Sequence, residues 1–310
     1  MEKEHVALGI DIGGTGIEYG IVDSEGAILY ENDLATAEIE SAKVLSEKIY
    51  SDEHIQLFLK RIKGIGIGAP NGNFIHGTIE FAPNLKWQGI IPLRQIFEDR
   101  FNVPVAVTND ANAAALGEMK FGNARDLKDF VTITLGTGVG SGVVAGGRLI
   151  YGHDGFAGEF GHIRVIPDGR ICGCGRKGCL ETYASSTGVV RSIAELESEN
   201  KLKSPLLRLE HPSAKDVFDA ANHGDPFAIE IIEFTAKILG SALADFCCFS
   251  SPKAYVLFGG IAQSGENFAN KVKYHMEQNM LKIYQNNVEI RISSLHDVNA
   301  AVLGAASLLD

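Results

Sequence analysis

Four residues in one short stretch carry the most specific chemical signal in this chain. Cys172, Cys174 and Cys179 stand as Cys-x-Cys-x4-Cys, and His162 precedes the first by ten positions. Three thiolates and an imidazole make a closed four-ligand set of the kind a tetrahedral structural Zn2+ takes. Gly169, Gly173, Gly175 and Gly178 suit a chain that wraps an ion, because such a path needs backbone angles that a Cβ resists. A disulfide with a spare thiol is the weaker alternative. The start, MEKEHVALGIDI, has too short an apolar run for a signal peptide, and a reducing cytosol disfavours disulfides. A catalytic zinc keeps one position for water, whereas this set fills all four, so the metal is expected to be scaffold. It would hold Glu159 and Glu181, the acids that bracket it, and the second ring nitrogen of His162.

A strand, glycine turn, strand pattern is the next signal, and it occurs twice. Asp11-Ile-Gly-Gly-Thr15 separates two strand-like runs, and Gly136-Thr-Gly-Val-Gly-Ser-Gly142 lies between Phe130–Leu135 and Val143–Ala145. Two such units facing each other across a cleft would present backbone N–H groups to a polyphosphate from both sides. A Walker A loop is excluded because no Gly-Lys dipeptide occurs, and the second glycine run leads into a strand where a dinucleotide fold needs a helix. A plain hairpin turn is the alternative for Gly136–Gly142. Asp11, at a strand end beside two glycines and Thr15, could hold Mg2+ through water or merely shape a turn. Asp110 ends the strand-like VPVAVTND and precedes an alanine-rich helix from Ala111. It is therefore either a helix N-cap or a carboxylate that opens into a cleft at the end of a strand.

The elements that must position these groups alternate along the chain. Strands are expected at 5–11, 16–22 and 27–34, a helix over 37–60 interrupted near Ser51, a strand GIGIGAP ending at Pro70, and a short helix from Leu93 toward Phe101. A strand at 147–151 should follow the second glycine turn. Helices near 186–196, 214–221 and 226–249 come next, and Cys247 and Cys248 fit the core of the last. A strand AYVLFGG, a helix over 266–280, a strand near 288–292 and a terminal helix over 299–309 complete the pattern. The recurrence reads as an internal duplication. With 310 residues, 45% of them hydrophobic, the chain can bury a large core and is expected to form two domains. A net charge of −11 disfavours nucleic acid as the main partner. No run reaches the roughly 18 apolar residues that span a bilayer, so no membrane partner and a cytoplasmic location are expected.

DIGGT, TNDANAAALGE, LGTGVGSG, GEFGH, CGCGRKGCLE and LFGGIAQSG occur in the order found in the ROK family of repressors and kinases, which the chain resembles from about residue 7 onward. The resemblance implies an α/β, actin-like (ribonuclease H-like) two-domain ATPase fold with a zinc-stapled loop in the second domain. Residues 1–117 with 298–310 would form one domain and 118–297 the other. It further implies that Gly13, Gly14, Thr15, Gly136, Thr137 and Gly138 approach phosphates, that Gly259 and Gly260 lie against adenosine, and that Mg2+ accompanies ATP near Asp11. Asp110 would be the general base, and Asn84, Asn109, Glu159, His162 and Glu181 would bind sugar hydroxyls. Acids and amides suit a sugar because each hydroxyl both donates and accepts. The expected activity is ATP-dependent phosphorylation of a hexose, glucose above all, by a homodimer. N-acetylmannosamine or fructose kinases are the alternatives, as is a sugar-sensing repressor without its DNA-binding domain. One departure is Ala-Pro-Asn71-Gly, where many members read Gly-x-Pro-Gly.

Overall fold

The computed structural model describes residues 5–82, 85–199, 203–295 and 298–309. The chain divides into two compact units: Met1–Asp126 with Arg148–Gly158 and Ser294–Asp310, and Leu127–Gly147 with Glu159–Ser293.

In the first unit a sheet runs in the order Ile28–Ala35, Gly16–Asp23, Val6–Ile12, Ile62–Gly68, Val105–Thr108. The first three strands are antiparallel neighbours, and the last two join Val6–Ile12 in parallel. Alternation along Val6–Ile12 sends Val6, Leu8, Ile10 and Ile12 into a core with Leu45, Ile49 and Phe97. The opposite face receives the terminal helix Val298–Ala306. Glycine is what lets it approach, since a Cβ at Gly9 or Gly66 would collide with the Val302 or Ala305 carbonyl. The helix expected over 37–60 is a 3-10 turn at Thr36–Glu38 followed by helices Ala42–Ser51 and Glu53–Phe58. The break falls at Asp52, whose Oδ1 accepts from His54 and Ile55 N–H groups to start the second helix. Its Oδ2 accepts from the Tyr19 and Tyr30 hydroxyls, each at 2.7 Å, which ties the break to the sheet.

The second unit repeats this pairing scheme. Val139–Ala145 runs antiparallel to Phe130–Leu135, which pairs in parallel with Ala254–Phe258, and that strand pairs in parallel with Glu289–Ile292. Its core joins Ile133 and Leu135 of the sheet to Phe227, Leu239 and Leu243 of the long helix Pro226–Ser250. Two strand expectations change. The strand after the glycine turn starts at Val139, not Val143, because Gly140, Ser141 and Gly142 pair with Thr134, Ile133 and Thr132; the turn itself is only Gly136–Gly138. The strand expected over 147–151 is just Arg148–Leu149, since Gly146 and Gly147 adopt φ of 58° and 73° and turn the chain. Cys247 is buried as expected but Cys248 is exposed. Each helical step turns about 100°, and the step beyond Phe246 and Cys247, both buried, carries Cys248 out of the core-facing arc. No helix of the described residues is long and apolar enough to cross a membrane.

Candidate active site

In the first unit the chemically capable residues gather at the C-terminal ends of three neighbouring strands. Register sets Asp11 beside Gly68 and Gly68 beside Thr108, from which the chain passes through Asn109 into the helix Asp110–Lys120. Gly68 is the spacer: a Cβ there would lie 3.0 Å from Asp11 Oδ1 and 3.8 Å from Asp110 Cα. Burial, and then the like charges of Asp110 and Glu18, push the Asp11 carboxyl up to about 8. Asp110 is accessible to solvent. Enough protein nevertheless surrounds it that desolvation raises its pKa, against the backbone hydrogen bonds that lower it.

The capping role weighed for Asp110 belongs to its neighbour. Asn109 is the N-cap, with its side-chain oxygen accepting the Asn112 N–H at 2.7 Å. Asp110 stands at the first helical position, where one carboxylate oxygen accepts the Ala111 N–H at 2.9 Å. Asn109 therefore keeps its amide nitrogen, and one remaining lone pair of its oxygen, for a ligand. The Gly13–Thr15 turn is closed by the Gly13 N–H donating to the Gly16 carbonyl at 2.8 Å. Thr36 holds it from the side, its hydroxyl donating to the Gly13 carbonyl and its N–H to the Thr15 carbonyl. Gly14 and Thr15 are exposed at the tip. Asn71 adopts a left-handed φ of 52°, which asparagine tolerates better than most residues, and its amide donates to the Glu80 carbonyl at 2.9 Å and the Phe81 carbonyl at 3.3 Å. Asn84 lies outside the described residues.

In the second unit the His162, Cys172, Cys174 and Cys179 ligand atoms all lie within 4.8 Å of one another. The Cys172 sulfur is 3.7 Å from His162 Nδ1, and the Cys174 and Cys179 sulfurs are 3.7 Å apart. Bonds of about 2.3 Å to a tetrahedral zinc place neighbouring sulfurs about 3.8 Å apart, so the donor set fits that ion in number, type and spacing. Because Nδ1 faces the thiols, Nε2 is the His162 nitrogen left for another partner.

Val139 is the hub that brings the two expected acids together with this cluster. Its N–H donates to Glu181 Oε2 at 3.1 Å, and its carbonyl lies where a Cβ on Gly161 would collide, so the Glu159–His162 segment packs directly against it. Glu181 Oε1 lies 3.6 Å from the Cys172 sulfur. The Gly136–Gly138 turn is also part of this group, since a Cβ at Gly138 would collide with Glu181 Oε2. The Ser186 N–H and Thr187 hydroxyl donate to the carbonyls of Gly136 and Thr137 at 2.8 and 3.1 Å. Gly259, at φ of 96°, follows the neighbouring strand so closely that a Cβ would sit 2.8 Å from the Leu135 carbonyl; Gly260 beside it is exposed.

Three participants were not singled out from sequence. Gly68 could have been noticed in the glycine-laced GIGIG run, but its place between two acids depends on register. Val139 acts through its backbone, which leaves no trace in residue type. Arg170 looks like a loop charge, yet it is buried, and its guanidinium is enclosed by hydrogen-bond acceptors.

The ROK family model matches residues 7–310. A glucokinase of Halalkalibacterium halodurans is 37% identical over 97% of this chain and 94% of its own length. A xylose repressor of Caldicellulosiruptor bescii is 30% identical over 97% of this chain and 77% of its own. Among solved structures, a ROK family glucokinase from Streptomyces griseus in complex with glucose and AMPPNP superposes with a TM-score of 0.79 at 35% identity, covering 98% of each chain.

Proposed function

This chain belongs to the ROK family, and on that premise we propose that it is an ATP-dependent hexose kinase that converts glucose to glucose 6-phosphate. The observation that carries the proposal is the Asp110 carboxylate at the strand end, with a raised pKa and with Asp11 across Gly68. A base needs a proton affinity brought toward neutrality, and the desolvation of Asp110 acts in that direction. Asp110 takes the proton of the sugar 6-hydroxyl as its oxygen attacks the γ-phosphoryl group. The proton passes to a carboxylate oxygen, the bond to the β-phosphate oxygen breaks, and ADP leaves.

The remaining residues bind and orient. Asn84, Asn109, Glu159, His162 and Glu181 take the other hydroxyls, with His162 offering Nε2. The turn of Gly13, Gly14 and Thr15, exposed at Gly14 and Thr15, and the turn of Gly136, Thr137 and Gly138 approach phosphate oxygens, while Gly259 and Gly260 admit adenosine. Mg2+ bound with ATP supplies charge neutralisation, and Asp11 is the carboxylate that would hold it; the Cys3His set would hold the structural zinc. The glucokinase relative and the glucose-bound neighbour support this reading. It extends to a homodimer working in the cytoplasm, for which light scattering and cell fractionation are the tests.

A rival reading, a sugar sensor without phosphoryl transfer, is favoured by the repressor relative. A coupled ATP-consumption assay over glucose, mannose, fructose, N-acetylglucosamine and N-acetylmannosamine decides between them. Glucose should give the highest kcat/KM. A tenfold advantage for any of the last three would move the substrate, and no turnover with any sugar would favour the sensor.

A further inference from the structure

Glu181 stands on a helix of one turn. Glu181–Ala184 is four residues long and begins at Leu180 without a side-chain cap. A helix this short forms too few internal hydrogen bonds to hold itself, so its position must be imposed from outside. On its leading side Cys179, two residues before Glu181, belongs to the metal cluster. On its trailing side the fastening is Arg170.

Every N–H of the Arg170 guanidinium has an acceptor. Nη1 donates to the Thr182 carbonyl at 2.6 Å and the Gly188 carbonyl at 2.9 Å. Nη2 donates to the Ser192 hydroxyl at 2.9 Å and to Glu195 at 2.8 Å, and Nε donates to Glu195 at 2.9 Å. The Arg170 backbone N–H donates to the Tyr183 hydroxyl at 2.9 Å, and the guanidinium lies 4.4 Å above the Tyr183 ring. The Arg170 side chain is 4% exposed, so its bonds to Thr182, Gly188 and Ser192 lie away from water, while Glu195, 50% exposed, meets the fork at its outer end. A planar fork meeting acceptors on several sides cannot be reproduced by the single ammonium of lysine.

We infer that Arg170 is a positioning residue for Glu181, fixing the Glu181 helix independently of the metal. The functional part of this inference rests on the assignment of Glu181 to the sugar. Arg170 lies on the loop between His162 and Cys172 and grips the two residues that follow Glu181. The metal holds the loop to itself, whereas Arg170 holds it to the helices Glu181–Ala184 and Ser186–Glu199.

The test compares zinc-loaded wild type with Arg170→Lys in three measurements. Zinc per chain should be unchanged. Hydrogen exchange at the Ala184 and Ser185 amides, which donate to the Leu180 and Glu181 carbonyls, should accelerate about tenfold or more as local opening becomes easier. KM for glucose should rise about tenfold while kcat stays within about threefold, the split expected when ground-state sugar binding is lost. Unchanged exchange, zinc loss in parallel, or faster exchange with an unchanged KM would each overturn the inference. Should Arg170→Lys not fold, Glu195→Gln loosens the far end of the fork. It should retain zinc and raise KM about two- to fivefold, and an unchanged KM with unchanged exchange overturns the inference there too. A wild type that phosphorylates no sugar would remove the kinase reading, while the exchange measurement still decides whether Arg170 fixes the Glu181 helix.

Discussion

The two units hold their candidate carboxylates by different means. In the first, Asp11 and Asp110 are set by the register of parallel strands, with Gly68 between them and hydrogen bonds mostly from the backbone. In the second, Glu181 rests on a single helical turn fastened by Cys179 on one side and Arg170 on the other. Sheet register is shared across whole strands, so one substitution there changes chemistry without moving the backbone. A stapled turn concentrates its stability in a few side chains, so loss of one staple moves the carboxylate itself. The first arrangement suits the base and the metal-binding acid proposed for Asp110 and Asp11, since those roles require tuned proton affinities. The second suits the role proposed for Glu181, a carboxylate aimed at a sugar hydroxyl.

The contrast is sharpest for Asp110→Asn. The amide keeps the shape of the carboxylate, and the cap at Asn109 is untouched. Thermal stability should therefore stay near wild type while kcat falls about 10²- to 10⁴-fold, as loss of a general base predicts. Turnover near wild type in a steady-state assay would return Asp110 to a structural role and dissolve the comparison.

Cys174→Ser should behave in the opposite way, with stability and sugar binding failing together. Elemental analysis should show metal near one per chain in the wild type and largely lost in the variant, with a lower Tm and a KM for glucose raised about tenfold or more. Full metal content and an unchanged KM would mean that the Cys3His set does not hold Glu181. Gly138→Ala probes the same region from the phosphate side, because the added methyl would collide with Glu181 Oε2. Its kcat/KM should fall about tenfold, with both ATP and sugar KM affected; a change confined to ATP would show that the turn and Glu181 act separately.

The smallest effect is the pH dependence of Asp11. Its carboxyl is pushed from 3.8 up to about 8 on folding. Between those values the folded protein binds more protons than the unfolded chain, so stability from this group is complete below about pH 4 and is lost as pH rises through about 8. Urea unfolding of metal-bound enzyme without Mg2+ should show this decline, and Asp11→Asn should flatten it. An equal slope in the variant would place the titration elsewhere.

How much was legible follows from how local each feature is. His162, Cys172, Cys174 and Cys179 fall within 18 residues, so their spacing alone specified the donor set, and the cluster in the structure agrees with it. The glycine turns and the strand, turn, strand repeat were visible for the same reason. The long helix was visible as well, but residue type could not tell that Cys248 faces outward while Cys247 faces the core.

What tertiary structure alone decided are relations between distant residues and between equivalent neighbours. Asn109 and Asp110 are both good caps by type, and only the path of the chain leaving Thr108 assigns the cap to one and the exposed carboxylate to the other. Asp11 and Asp110 stand 99 positions apart in sequence, and nothing in either motif says that Gly68 separates them. Burial raises the proton affinity of both, and at Asp11 the charge of Asp110 adds to it, so the sequence determines which groups are acidic and the fold determines how acidic they are. Arg170 is the extreme case. Its residue type promises an exposed charge, and only packing against Tyr183, Thr182, Gly188, Ser192 and Glu195 makes burial of a guanidinium tolerable, because every one of its donors finds an acceptor there.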